Sequence, residues 1–222
     1  MFTELKAFAS KEYKFQQRKS LQFARWDYGH HVAIGACVGA VMMWVREKLT
    51  TTGASWNPMQ TKQFSPESGS SVHERNAMTM IEAAGNQVRY NRKGVNYVAE
   101  YLGLHDATFD IRPAVRPDRQ NRPEVQIPET LVRVAEELHE GSAAVIELGV
   151  REGTEDKRRG HAIGMYRSRG GHLHFFDPSV GVYEVRDVDG FMRAWLDGCR
   201  NSRDWTFIPF RNEGDWIHCY TR

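Results

Sequence analysis

The chain has few of the features that mark a disulfide-stabilised, metal-binding or membrane-spanning protein. It holds only three cysteines, Cys37, Cys199 and Cys219, and no two of them are close enough in sequence to form a zinc motif. Such a low, odd count does not make a disulfide framework, although pairing of Cys199 with Cys219 stays open. The longest apolar stretch, residues 32–45, is too short and too rich in glycine to cross a bilayer. The sequence therefore predicts no metal and no cofactor.

An excess of one charge is also absent. The 222 residues carry 30 Lys and Arg against 28 Asp and Glu, a net charge of +2, and 41% of the residues are hydrophobic. This balance does not favour a dedicated nucleic-acid binder, and the length suffices for one domain with a sizeable core. The first residues lack the apolar segment of a cleaved secretory signal peptide. We expect residues 1–25 to form a basic N-terminal arm, either disordered or related to export, before a single domain at residues 26–222.

The hydrophobic pattern changes along the chain. Helical periodicity and turn residues predict early helices at residues 35–49, 72–84, 94–102 and 128–140. A proline-rich surface loop is expected at residues 105–128. After residue 141 short apolar runs separated by Gly-rich turns predict strands, with one helix inserted at residues 187–199. The fold class is therefore α+β, with N-terminal helices packed on a C-terminal antiparallel sheet.

Cys37 stands in the segment GACVGA, residues 35–40, immediately before an apolar run. The first turn of a helix favours a thiolate, the nucleophilic form of cysteine, because its unpaired N–H groups and dipole favour negative charge. Small neighbours would let a substrate backbone approach the sulfur and leave the Cys37 N–H for an oxyanion hole. The alternative is that Cys37 is a buried core cysteine, since free cysteine is among the most buried residue types.

A histidine and an aspartate follow on two predicted neighbouring strands. His161 opens the segment HAIGMY, and Asp177 ends the run HFFD before Pro178. Two short antiparallel strands joined by a turn would bring both side chains to one end of the sheet. Asp177 is then expected to accept the Nδ1 proton of His161 and aim the imidazole at Cys37.

These three motifs resemble the YopT/AvrPphB-type cysteine proteases, which are bacterial effectors with a papain-like fold. The resemblance covers roughly residues 35–185: Gly-x-Cys-x-Gly leading into a helix with a Trp, then His-Ala-Ile, then Phe-Phe-Asp-Pro-x-x-Gly. It implies that Cys37 is the nucleophile, His161 the general base and Asp177 the orienting carboxylate. Papain-like enzymes usually place a Gln or Asn before the nucleophile as oxyanion donor. The stretch before Cys37 has no such amide, so His31 is the candidate donor.

The resemblance also implies a biological setting. The protein would be made in the bacterial cytoplasm and enter a host cell by type III secretion, without a cleaved signal peptide. There it would cleave a specific host protein, with an anionic membrane surface as a further contact if that substrate carries a lipid. No nucleic-acid partner is implied. Two alternatives share the residues: a papain-fold glutamine deamidase or transglutaminase toxin with the same triad, and a catalytically dead binding module.

Overall fold

Helices dominate the first half of the chain and strands the second half. The computed structural model describes residues 2–13, 36–50, 77–117, 123–152, 158–210 and 216–221. In these ranges the helices are α1 (Leu5–Phe8), α2 (Cys37–Thr50), α3 (Ala77–Lys93), α4 (Val95–Leu102), α5 (Ile127–Glu137) and α6 (Val188–Arg203). The strands are β1 (Ala9–Tyr13), β2 (His105–Asp106), β3 (Val115–Pro117), β4 (Pro123–Val125), β5 (Ser142–Glu152), β6 (Arg158–Arg167), β7 (Leu173–Asp177), β8 (Gly181–Val185), β9 (Trp205–Pro209) and β10 (Ile217–Thr221).

One antiparallel sheet forms the centre of the fold. Its strands run in the order β1-β8-β7-β6-β5-β10-β2. Strand β9 also pairs with β5, so β9 and β10 cover different halves of the same edge of that long strand. The described helices and this sheet confirm the predicted α+β fold class.

The sheet is packed on both faces because residues of its central strands alternate between two hydrophobic cores. Ala143 and Val145 of β5 belong to the core beneath α2, α3 and α4, whereas Ala144 and Ile146 belong to the core beneath α1, α5 and α6. This is the side-chain alternation expected of a strand that is buried on both sides. The sequence predicts N-terminal helices packed on one sheet. The structure adds a second helical layer, built by α5 and α6, on the opposite face.

Helix α2 lies directly on the sheet. Its apolar sequence buries nine of its fourteen residues, including Trp44. A Cβ at Gly164 of β6 would lie 2.8 Å from the Trp44 ring, so glycine at this position lets the helix approach the strand closely. The contact fixes the start of α2 relative to the strands that carry His161 and Asp177.

Three sequence predictions differ from the structure. Helix α3 does not end at Gly85 but continues to Lys93, because packing against α2 outweighs the low helix propensity of glycine. Residues 105–128 are not one loop, since β2 joins the main sheet and β3 pairs with β4. The sequence predicts a separate basic arm at residues 1–25, yet residues 5–13 form α1 and β1, and β1 is an edge strand paired with β8. Residues 14–25 lie outside the described residues.

Among the described residues, no helix is both long and apolar enough to cross a membrane.

Candidate active site

Cys37 is the first residue of α2. The Ala36 carbonyl accepts the first intrahelical hydrogen bond, from the Ala40 N–H at 2.8 Å, so Ala36 is the N-cap residue. The Cys37 side chain is half-buried, and its Sγ lies 3.9 Å from the Gly160 carbonyl oxygen on β6. The thiol is therefore at the start of a helix and beside the strand that carries His161, rather than in the hydrophobic core.

His161 and Asp177 form a buried pair. The register of β6 and β7 pairs Gly164 with Phe176, so Asp177 falls on the same sheet face as His161 and two positions along the strand. The His161 Nε2 lies 3.1 Å from Asp177 Oδ1, and the two side chains are 6% and 0% exposed. We predicted that Asp177 would face Nδ1, and this is wrong: Asp177 faces Nε2.

The orientation of the imidazole decides which nitrogen meets the thiol. Because Nε2 faces Asp177, Nδ1 is the nitrogen left for Cys37, whose side chain helps to raise the pKa of His161. The structure therefore brings Cys37, His161 and Asp177 together in the order thiol, imidazole, carboxylate.

The Asp177 carboxylate has three partners. Oδ1 accepts from the Ser179 N–H at 2.7 Å as well as facing His161, and Oδ2 accepts from Trp195 Nε1 at 2.9 Å. A buried carboxylate is costly unless its oxygens are hydrogen-bonded. The role of Trp195 as a donor to Asp177 was not predicted, because a helical pattern does not show which polar atom an inward side chain meets.

Electrostatics favour a charged pair. Burial alone would lower the pKa of His161, but the Asp177 carboxylate and the Cys37 side chain outweigh it and raise that pKa to about 9. Burial would raise the pKa of Asp177, yet His161, the Ser179 N–H and Trp195 together hold it below its ordinary value. The raised pKa of His161 and the lowered pKa of Asp177 both favour an imidazolium–carboxylate pair.

Aromatic side chains shield the imidazole. The ring of Trp205 lies 5.3 Å from that of His161, and the ring of Phe207 lies 6.2 Å away. Phe207 in turn stacks on Trp195 at 4.9 Å. The side chains of β9 thus limit solvent access to the His161–Asp177 hydrogen bond. A charged hydrogen bond is stronger where water is excluded.

The start of α2 offers one backbone donor for an oxyanion. The Val38 and Gly39 N–H groups both point to Gln87 Oε1 on α3, at 3.0 and 3.4 Å. In the described part of the chain the Cys37 N–H meets no hydrogen-bond acceptor. The expected donor His31 lies outside the described residues. Gln87 was missed because it is distant in sequence and carries no motif.

Gly39 has a different role from the one predicted. We expected it to leave room for a substrate. Instead a Cβ at Gly39 would lie 1.9 Å from the Ala83 carbonyl oxygen, so this glycine admits α3.

Other reactive groups stay apart from this site. All three cysteines are free, so Cys199 and Cys219 are not paired. His174 is half-buried, and its Nδ1 contacts the Glu12 carboxylate of β1. Over the ranges that the structure describes, no group of three His, Cys, Asp or Glu side chains could hold a metal ion.

The layout can be compared with known proteins. The chain matches no protein-family model and no curated protein. It is similar in structure to the Pseudomonas avirulence protein AvrPphB, with 14% identity, 98% of each chain covered and a TM-score of 0.48. It is also similar to PatoxP, a cysteine protease-like domain of the Photorhabdus asymbiotica toxin PaTox, with 8% identity, 99% of this chain and 56% of that chain covered, and a TM-score of 0.42. In this chain the helix that begins at Cys37 packs on the sheet that carries His161 and Asp177.

Proposed function

We propose that the protein is a cysteine endopeptidase that works through Cys37, His161 and Asp177. One observation carries the proposal: the buried His161–Asp177 pair, with Nε2 and Oδ1 3.1 Å apart, directs its other ring nitrogen toward a thiol at the start of a helix. If the pair were only structural, it would not require a thiol near the second ring nitrogen of His161. A nucleophile, a base and an orienting group in this order are the signature of covalent catalysis.

In the first half of the reaction the Cys37 thiolate attacks a substrate carbonyl carbon. An S–C bond forms while the carbonyl oxygen takes the negative charge, and under this proposal the Cys37 N–H donates to that oxygen. The tetrahedral intermediate collapses by breaking the C–N bond. The His161 imidazolium gives its proton to the leaving amine, and an acyl-thioenzyme remains.

In the second half water replaces the amine. Neutral His161 accepts a proton from a water molecule, whose oxygen attacks the thioester carbon, and the C–S bond then breaks to release a carboxylic acid and the thiolate. Asp177 holds Nε2 throughout and stabilises the imidazolium whenever it forms. The proton that His161 takes from water restores the imidazolium, so thiolate and imidazolium are both regenerated when the acid leaves.

We infer the setting from the three motifs of the sequence. Their resemblance to the YopT/AvrPphB-type proteases supports a bacterial effector that enters a host cell by type III secretion and cuts a specific host protein. An anionic membrane surface is a further contact under this proposal if the substrate is lipidated. The assignment of Cys37, His161 and Asp177 to their roles belongs to the same proposal.

The experiment that tests the proposal is alkylation of the native protein with a low concentration of iodoacetamide, mapped by peptide mass spectrometry. We expect fast labelling of Cys37 at about pH 6 that falls by about tenfold or more in His161→Ala, because the imidazolium stabilises the thiolate. Cys219 is the internal control: burial, with Asp110 nearby, raises the pKa of its thiol to about 12, so it should label slowly in both proteins. Labelling of Cys37 that is as slow as that of Cys219 and indifferent to His161 would contradict the proposal and favour a binding module.

Target proteins incubated with the wild type and with Cys37→Ala then distinguish which amide is attacked, that of the backbone or that of a glutamine side chain. A cut backbone supports an endopeptidase. Conversion of a glutamine to glutamate without a cut would instead indicate the deamidase, since that reaction passes through the same acyl-thioenzyme.

A further inference from the structure

The start of α2 lacks a cap of its own. The N-cap residue Ala36 has no side-chain oxygen, and alanine is among the poorest N-cap residues. The first N–H groups of a helix have no intrahelical acceptor and must find one elsewhere. At this helix the question is also a functional one, because the proposed nucleophile is the first helical residue.

Gln87 of α3 supplies the missing acceptor. Its Oε1 receives the Val38 N–H at 3.0 Å and the Gly39 N–H at 3.4 Å, and the residue is 6% exposed. Its Nε2 donates to Asn91 Oδ1 one helical turn further on, at 3.1 Å. This second hydrogen bond orients the amide so that its oxygen faces α2.

Helix α3 is held in place on two sides. On one side Gly39 allows the Ala83 carbonyl to touch α2 where a Cβ would clash at 1.9 Å. On the other side the Tyr90 hydroxyl, three residues after Gln87, contacts the buried Glu147 carboxylate of β5. Because α3 is fastened both to α2 and to the sheet, the Gln87 oxygen has a defined position relative to the helix start.

We propose that Gln87 is a positioning residue that distributes the N–H groups of α2: it occupies those of Val38 and Gly39 and leaves that of Cys37 as the donor to the oxyanion. Because the Val38 and Gly39 N–H groups already donate to Gln87 Oε1, they do not compete for a hydrogen bond to the Cys37 thiolate. The sulfur therefore stays directed at the substrate carbonyl. This inference rests on the proposed acylation of Cys37 and adds a residue that no sequence motif marks.

The test compares two reactions of the same sulfur. Iodoacetamide is attacked at a saturated carbon and generates no oxyanion. A nitrophenyl ester is attacked at its carbonyl: an S–C bond forms, negative charge develops on the carbonyl oxygen, and nitrophenolate leaves. A residue that positions the oxyanion donor should affect the second reaction more than the first, whereas general damage to the fold should slow both.

We expect Gln87→Leu to lower the rate of the nitrophenolate burst by about tenfold or more, since loss of one oxyanion donor costs about a hundredfold or more. The alkylation rate of Cys37 should stay within about threefold of the wild type, as expected if the thiolate and His161 are undisturbed. Asn91→Ala is the second variant: Asn91 is exposed, its replacement keeps the fold, and the ratio of burst rate to alkylation rate should fall in the same direction by a smaller factor.

Each outcome decides the matter. If Gln87→Leu does not fold, an unchanged ratio in Asn91→Ala overturns the inference and a lowered ratio supports it. Equal losses in both reactions, or none, mean that Gln87 is only a packing residue. A wild type that alkylates rapidly but shows no burst overturns this inference alone, whereas a wild type that does neither contradicts the proposed function as well.

Discussion

Two histidine–carboxylate pairs in this molecule have similar geometry but contact different groups. His161 and Asp177 lie 3.1 Å apart with side chains 6% and 0% exposed. His174 contacts Glu12, and the other carboxylate oxygen of Glu12 lies 3.3 Å from Lys48 Nζ. Both pairs are shielded from solvent, and both join strands of the same sheet. The chemistry differs because of what stands on the far side of each pair.

On the far side of the first imidazole is a thiol at a helix start, and on that of Glu12 is a buried ammonium group. Lys48 neutralises Glu12 and fastens β1 to α2, so the second cluster is a complete ion network. The first pair has no such neutralising cation among the described residues and instead meets a group that can itself become an anion. A histidine–carboxylate pair is thus a catalytic candidate only when its other ring nitrogen faces a reactive group.

The largest difference between the clusters is expected from Asp177→Asn. The Asn side chain has one acceptor oxygen and one donor NH2 group, so it cannot use two oxygens to accept from His161 Nε2 and Trp195 Nε1. The substitution also removes the negative charge that raises the pKa of His161. We expect Cys37 alkylation at about pH 6 to fall by about tenfold or more. The measurement is the labelling rate from peptide mass spectrometry.

Glu184→Gln is the matched control, because Glu184 pairs with His172 on the surface at 3.2 Å. Exposed pairs contribute little, so this variant should label like the wild type. An Asp177→Asn protein that folds and labels as fast as Glu184→Gln would mean that Asp177 does not act on the thiol through His161.

Sequence reasoning found the residues of the first cluster and missed most of their surroundings. Cys37, His161 and Asp177 were predicted from the combination and order of three motifs, since each motif alone was ambiguous: small residues before a helix, and a histidine and an aspartate on adjacent strands. The ring nitrogen that faces Asp177 was predicted wrongly, because strand alternation gives the face of a side chain but not its rotamer. Gln87 and Trp195 contact the site through tertiary packing, which no local pattern reports.

The fold shows the same division between local and tertiary information. Helix–strand order and the antiparallel sheet followed from periodicity. The continuation of α3 through Gly85 did not, because packing on α2 overrides a propensity cost of about 1 kcal/mol. Strand β1 was missed because Lys11 and Glu12 read as a solvated arm, whereas Glu12 is paired with His174 and Lys48.

A second prediction concerns the pH range over which the His161–Asp177 pair stabilises the fold. The folded-state pKa of His161, about 9, lies above its ordinary value of 6.5. Its contribution is therefore fully present below about pH 6.5 and is lost as the pH rises through about 9. The free energy of unfolding of the wild type should exceed that of His161→Gln by at most on the order of 3 kcal/mol at low pH, and this margin should shrink across the window. Urea unfolding of both proteins at several pH values measures it. A margin that is constant with pH would show that His161 is not charged by its partners.

The smallest effect on the site is expected from Glu12→Gln. Burial raises the pKa of Glu12, but His174 and Lys48 outweigh it and hold that pKa below 4.5, so its contribution is present above that value and is lost toward acid, the opposite direction from His161. Without the carboxylate the buried Lys48 ammonium loses its counter-ion, and we expect the free energy of unfolding at neutral pH to fall by about 1–3 kcal/mol.

Cys37 labelling should stay within about twofold of the wild type, because no described contact of Glu12 reaches the thiol. A variant that unfolds more easily but keeps its labelling rate would separate the structural cluster from the reactive one, whereas a loss of labelling matching that of Asp177→Asn would mean that the two pairs act as a single network.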